Sequence, residues 1–302
     1  MAQTQPSEKV ASLPSGIEIC YETFGDKANP PVLLIMGLGG PMGWWDATLC
    51  TGLAGRGYFV IRFDNRDTGR STKLRQHRIT RKEIFKAFFG RAKAPYGLSE
   101  LAEDAFGLLD HLDIQRVNLA GVSMGGMIIQ TMAIAQPGRV LSLTSIMSST
   151  GKRTVGWQHP RVIPAMLASA GSTRESYIER SLHTSAIIGS PAFPTDETVA
   201  RARAAETYDR GWSASGVARH MMAVLTQPDR TRDLATLDIP ATVIHGLRDP
   251  LVNPSGGRAT ASAIRGAEFV EIAGMGHDLP VQLYDTFIDA IARTAERAVA
   301  KQ

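Results

Sequence analysis

The stretch Val117-Asn118-Leu119-Ala120-Gly121-Val122-Ser123-Met124-Gly125-Gly126-Met127-Ile128-Ile129 decides how this sequence is read. An apolar run ends at Val122, a serine stands at the break, and Met127, Ile128, Ile129, Met132 and Ile134 then recur at helical spacing. In such a strand, sharp turn, helix context, Gly-x-Ser-x-Gly is a nucleophile elbow: the glycines permit a backbone so tight that the serine hydroxyl projects above a sheet. A Cβ at Gly121 or Gly125 would strike the neighbouring turn. The bare pattern is weak, because a Gly-rich turn can carry an inert serine, and its position between strand and helix gives it weight.

Outward from the elbow, Val32 to Met36, Tyr58 to Phe63, Leu141 to Met147 and Ala241 to His245 are further short apolar runs, separated by segments of helical period. Continuous rather than alternating hydrophobicity marks strands covered on both faces, so the fold class is α/β, a mostly parallel, doubly wound sheet. Ile17 to Phe24 alternates and suits an antiparallel strand. Ser99 is the expected N-cap of a helix carrying Leu101, Ala105, Leu108 and Leu109 on one face, Gln136-Pro137-Gly138 closes another, and Val281 to Arg297 forms the last. From Ser148 to Pro240 no strand run occurs and prolines recur, so residues 148–240 are read as an inserted helical cap on a core of residues 1–147 and 241–302.

A serine hydroxyl is a poor nucleophile until a base takes its proton, which calls for a histidine and an acid later in the chain. His277, in Gly274-Met275-Gly276-His277, follows the run Ala267 to Ile272, and Asp249 follows the run that ends at His245. Both fall at carboxyl ends of strands, where open α/β sheets bind ligands. A structural loop histidine and an Asx turn before Pro250 are the plainer readings of the two. His245 is read as a packing residue, and Asp278 cannot fold back to orient the neighbouring ring. An oxyanion needs two backbone donors: the N–H of Met124, after the nucleophile, and that of Leu38, in the loop Met36-Gly37-Leu38-Gly39-Gly40.

The 302 residues are 43% hydrophobic and 21% charged, which excludes a disordered or collagenous chain. Cys20 and Cys50 alone build neither a disulfide framework nor a thiolate zinc site, and the 7 histidines lack ligand spacing; no metal and no cofactor is expected. The polar N-terminus lacks the apolar run of a signal peptide and no run is long enough to span a membrane, so the expected location is cytoplasmic. A net charge of +4 is mild for a nucleic-acid binder, and no nucleic-acid partner is expected. The one concentrated basic stretch runs from Lys73 to Lys93. Within it Arg81 to Phe89 is basic and amphipathic and is taken as a surface helix packing its phenylalanines against the cap, with steering of anionic substrates or contact with a membrane surface as the alternatives.

The blocks Met36 to Gly40, Arg62 to Ser71, Gly121 to Gly126 and Gly274 to His277 together resemble the α/β-hydrolase superfamily of serine hydrolases, in the branch that includes the aclacinomycin methylesterases. The resemblance runs from about residue 15 to residue 295 and is weak in the cap. Two departures are visible: Met36-Gly37 stands where most of the superfamily has His-Gly, and Asp67 replaces a commoner glycine. It implies a Ser123, Asp249, His277 triad hydrolysing a hydrophobic, aromatic or polyketide-type ester or lactone, a small-molecule substrate, through an acyl-enzyme. Trp44, Met147, Trp157 and Trp212 are the candidate substrate contacts, with Trp44 and Trp45 opening a helix after the oxyanion loop. C–C bond hydrolysis and perhydrolase chemistry use the same triad and stay as alternatives. So does a non-catalytic ligand-binding protein, which predicts a broken triad. A homo-oligomer is left open.

Overall fold

The computed structural model describes residues 7–167 and 173–300. Its frame is an eight-stranded sheet of β1 (Lys9–Ser12), β2 (Glu18–Phe24), β3 (Pro31–Ile35), β4 (Phe59–Phe63), β5 (Val117–Val122), β6 (Val140–Ile146), β7 (Ala241–Gly246) and β8 (Glu268–Ile272), in the order β1-β2-β4-β3-β5-β6-β7-β8. The pairings of β1 with β2 and β2 with β4 are antiparallel; all others are parallel. Strand order reverses where β3 lies between β4 and β5, the crevice in which doubly wound sheets bind ligands. There Ile35 pairs with Gly121, which brings the loop after β3 beside the elbow after β5.

The apolar runs serve both faces. In β3, Leu33 and Ile35 enter one core while Val32 and Leu34 enter the other, and all four are fully buried. The first core is closed by α3 (Leu98–His111) and α4 (Met124–Ala135), the second by α1 (Ala47–Gly55) and α11 (Tyr284–Val299). Each large side chain so buried stabilises the fold by roughly 1.5–3 kcal/mol relative to exposure.

Between β6 and β7 the described residues contain no strand, only α5 (Ile163–Leu167), α6 (Arg174–Ile188), α7 (Glu197–Asp209), α8 (Ala214–Leu225) and α9 (Thr231–Leu234). The last of these turns back to the sheet: Leu234 and Leu237 are buried in the core face that holds α4. α10 (Ser255–Ala263) packs on β7. No helix among the described residues is long and apolar enough to cross a membrane.

Several local expectations are corrected. The N-cap of α3 is Gly97, not Ser99; its N–H donates to the Glu100 carboxylate at 2.8 Å, and Ser99 donates to the same oxygen. Trp44 and Trp45 precede α1 rather than open it: a 3₁₀ turn spans Met42–Trp44, and Asp46 caps α1 by accepting from the Thr48 N–H at 2.7 Å. The edge strand β1 has no counterpart in the sequence reading, since only Ala11 of its four side chains is buried. In α2 (Arg81–Phe88), Phe85, Phe88 and its cap residue Phe89 are exposed instead of packed. The helix presents Ala87 inward where it meets α8, and positions 85, 88 and 89 lie on another arc.

Candidate active site

Ser123 stands between β5 and α4 with φ 55° and ψ −116°, a conformation that costs on the order of 1–3 kcal/mol and must be imposed from outside. Three contacts impose it. The Ser123 N–H donates to the Ile146 carbonyl at 2.9 Å, the Ser148 hydroxyl donates to the Ser123 carbonyl at 2.7 Å, and the flanking glycines let three backbones converge. A Cβ at Gly121 would lie 2.3 Å from the Gly125 oxygen, and one at Gly125 would lie 2.0 Å from the Ile35 oxygen.

His277 reaches the serine from the loop after β8, its Nε2 at 3.0 Å from Ser123 Oγ. Its Nδ1 lies 2.7 Å from Asp249 Oδ2. With the proton on Nδ1, the ring donates to the carboxylate and accepts from the hydroxyl, the tautomer a general base requires. Asp249 is buried, and its Oδ1 accepts the N–H groups of Leu251 and Val252 at 2.8 and 2.9 Å. Burial alone would raise this carboxyl; the charge of His277 and the hydrogen bonds from His245 and His277 outweigh it and hold the group well below the ordinary range. Asp249 is therefore an anion at any working pH.

His245 does more than pack. Its Nε2 donates to the Val252 carbonyl at 2.8 Å and sits 3.3 Å from Asp249 Oδ2, while its buried Nδ1 has no partner among the described residues. Asp278 points away from the site and accepts the Ser190 hydroxyl. The histidine loop is held by the end of α6: the His277 N–H donates to the Ile188 carbonyl at 2.7 Å and the Gly276 N–H to Ser190 Oγ at 2.8 Å.

The loop after β3 runs beside the serine, where a Cβ at Gly37 would stand 3.1 Å from Ser123 Cβ. Neither the Leu38 nor the Met124 N–H has a hydrogen-bond partner among the described residues. The loop is fixed by its neighbours: Asn65 Nδ2 donates to the Met36 carbonyl at 3.1 Å, and the Gly39 N–H donates to His220 Nδ1 at 3.1 Å. His220, on α8, is fully buried. Since Nδ1 accepts, Nε2 carries the proton and donates to the Arg66 carbonyl at 2.8 Å. Burial pushes its pKa down to about 4.

Beside it, Arg219 makes a bidentate ion pair with Asp67 at 2.6 and 2.7 Å, both side chains fully buried. Tyr96 and the Leu74 N–H also bond that carboxylate, at 2.7 and 2.8 Å. Asp67 has φ 70°, which explains why glycine is the commoner choice there; aspartate tolerates this region better than most residues, and its charge binds the insertion.

The candidate substrate contacts fare less well. Met147 turns at φ 43° at the end of β6 and is fully buried in the core with Val122 and Ile244, so it offers no ligand surface; the Met124 side chain is buried likewise. Trp212 packs against Tyr177, ring centroids 4.6 Å apart, and lines with Gly39, Asp67 and Val217 a cleft of only about 10 Å³, too small for an acyl chain. Trp157 is exposed at 55%, with its carbonyl accepting the Asn253 N–H near the acid loop. Trp44 is half-buried, lies under Gly40 and donates Nε1–H to Thr207 of α7 at 3.0 Å.

His220, Arg219, Ser148 and Ser190 went unread in the sequence, because none stands in a motif, and His245 was read only for packing. Among the described residues no three histidine, cysteine or carboxylate side chains cluster as metal ligands would.

The model of the α/β hydrolase fold matches residues 30–282. The chain belongs to this family. It is 29% identical to rhodomycin D methylesterase DnrP of Streptomyces peucetius, an alignment covering 91% of this chain and 94% of that protein. With 3-oxoadipate enol-lactonase 2 of Acinetobacter baylyi it shares 27% identity over 80% of both chains. Among solved structures, the enol-lactonase of Burkholderia xenovorans superposes with a TM-score of 0.75 at 23% identity, covering 95% of this chain and all of that one, a likeness of fold.

Proposed function

We propose that this α/β-hydrolase cleaves carboxylic esters or lactones of hydrophobic, polyketide-type acids through an acyl-enzyme on Ser123. The observation that carries the reading is the unbroken line Ser123 Oγ, His277 Nε2, His277 Nδ1, Asp249 Oδ2, at 3.0 and 2.7 Å. Ser123 Oγ attacks the carbonyl carbon while His277 Nε2 takes its proton. Negative charge on the carbonyl oxygen is met by the Leu38 and Met124 N–H groups, each worth a hundred- to a thousand-fold or so in rate. The tetrahedral adduct expels the alkoxide, which leaves with the proton from His277; water, deprotonated by the same nitrogen, then clears the acyl group. Asp249 keeps the ring in its donating tautomer.

The substrate class rests on the relatives, one a methylesterase by name and another an enol-lactonase. The insertion of residues 148–240 is taken as a cap over the site. C–C bond hydrolysis gains no comparable support, since the meta-cleavage product hydrolase among the structural neighbours shares 19% identity and speaks for fold alone.

A fluorophosphonate probe tests the nucleophile. Wild-type protein is expected to be labelled and Ser123→Ala not, and His277→Ala or Asp249→Asn should lower p-nitrophenyl ester kcat by about 10⁴-fold with the fold intact. Labelling that persists in Ser123→Ala would remove the serine from the mechanism.

A further inference from the structure

Arg75 to Lys93 concentrates the charge of the whole protein. The segment holds Arg75, Arg78, Arg81, Lys82, Lys86, Arg91 and Lys93 against one carboxylate, Glu83, a net of +6; the chain carries +4, so everything else sums to −2. All seven cations are exposed, and none forms an ion pair among the described residues. Elsewhere on the surface Arg56, Arg174, Arg201, Arg258 and Arg265 are each paired, and exposed cations outside these ion pairs, such as Lys27, Arg116 and Arg232, are scattered along the chain rather than gathered in one segment. Glu83 itself is occupied in the capping box of α2, accepting the N–H of the cap residue Thr80 at 2.8 Å and the Thr80 hydroxyl at 2.7 Å.

On the same helix Phe85, Phe88 and Phe89 are 66%, 46% and 60% exposed. Their spacing places them within an arc of roughly 100°, with Arg81 one turn earlier inside that arc and Lys82 and Lys86 along one side of it. Phe85 and Phe89 touch, centroids 5.1 Å apart. The inward side is separate: Ala87 is fully buried where α2 meets α8, and the Phe88 carbonyl is tied to Arg153 at 3.1 Å. The surface thus has an aromatic patch with Arg81 within it and Lys82 and Lys86 along one border, on a helix anchored from behind.

We propose that this face docks on an anionic lipid bilayer, with the three phenylalanines in the headgroup–acyl boundary and the unpaired cations on lipid phosphates. Charge complementarity selects the partner class: an interfacial helix needs an aromatic face bordered by Lys and Arg, and each cation near an anionic leaflet strengthens partitioning about fivefold. A nucleic acid would call for a face dominated by cations, whereas three exposed phenylalanines dominate this one. The inference is independent of the triad and of the substrate class.

The test is flotation of the full chain with vesicles of phosphatidylcholine alone and of phosphatidylcholine with phosphatidylglycerol. Binding is expected only to the anionic vesicles, falling at least about tenfold as salt rises from roughly 50 to 500 mM. The variant Phe85→Ser/Phe88→Ser/Phe89→Ser should bind about tenfold less or weaker while keeping wild-type turnover of a soluble ester, which shows it folded. Four outcomes would overturn the proposal. They are no binding to anionic vesicles at low salt, binding that the triple variant retains in full, a dimer in light scattering that this variant abolishes, and tighter retention on a short duplex oligonucleotide than on vesicles.

Discussion

The sheet and the loops that the helical insertion holds over the site rely on different kinds of force. In the sheet, Val32, Leu33, Leu34 and Ile35 are each fully buried among other apolar groups, and the elbow is forced by backbone contacts between strands. Apart from the apolar anchor of Ala223, Leu234 and Leu237, the insertion meets the loops around the site through polar joints: Arg219 on Asp67, Arg210 on Asp64 at 2.8 Å, His220 on the Gly39 N–H, and Ser190 on the Gly276 N–H. Dispersion and hydrophobic burial are non-directional and spread over many contacts, whereas a buried ion pair or neutral histidine depends on one partner and on protonation. The sheet therefore fixes where Ser123 is, and the insertion fixes how the loops around it are oriented. Two of those loops carry Leu38 and His277.

Asp67→Ala attacks the comparison hardest. It leaves the Arg219 guanidinium buried without its carboxylate, and a loss of about 3–5 kcal/mol in urea unfolding is expected. A double change, Asp67→Leu with Arg219→Met, should recover most of that. If the single variant melts like wild type, the joint is not what fastens the insertion.

Gly125→Ala probes the other side. With its new Cβ 2.0 Å from the Ile35 carbonyl oxygen, the strand or the elbow must move, at about 3 kcal/mol and with loss of ester turnover. An alanine variant of native stability and activity would mean that the elbow is looser than its contacts imply.

The smallest effect is electrostatic. The folded pKa of His220, about 4 against an ordinary 6.5, means that the unfolded chain takes up a proton as pH falls below 6.5 while the folded chain does not. Stability is unaffected above that pH and declines from 6.5 toward 4, by about 2–3 kcal/mol from this group. In His220→Gln, which cannot titrate, the pH 4 to pH 7 difference in unfolding free energy should shrink by about that amount. An unchanged slope would assign the acid sensitivity to other groups.

What could be read from the sequence follows the same division. That Ser123, Asp249 and His277 come together was legible because each follows an apolar run whose end is visible in the chain itself. The joints were not, since Gly39 and His220 lie 181 positions apart and Asp67 and Arg219 152, with no local pattern linking them. Trp44, Met147, Trp157 and Trp212 were chosen by size and proximity in sequence, which say nothing of the side chain's direction. Met147 turned into the core for that reason. Strand β1 escaped because an edge strand needs only one inward side chain, here Ala11, and takes its register from β2.

Gly276 and Gly189 face each other across the junction of α6 with the histidine loop, so close that a Cβ on Gly276 would lie 2.3 Å from the Gly189 oxygen. For protein engineering this seam is a compatibility code. A foreign insertion spliced between β6 and β7 must seat its carbonyls against the bare backbone of Gly276 where residues 188 and 189 now stand and bring a hydroxyl at 190, or the splice will displace His277 however well the new pocket suits its ligand. Retargeting by substitutions inside the insertion, with both ends of the seam kept, avoids that constraint.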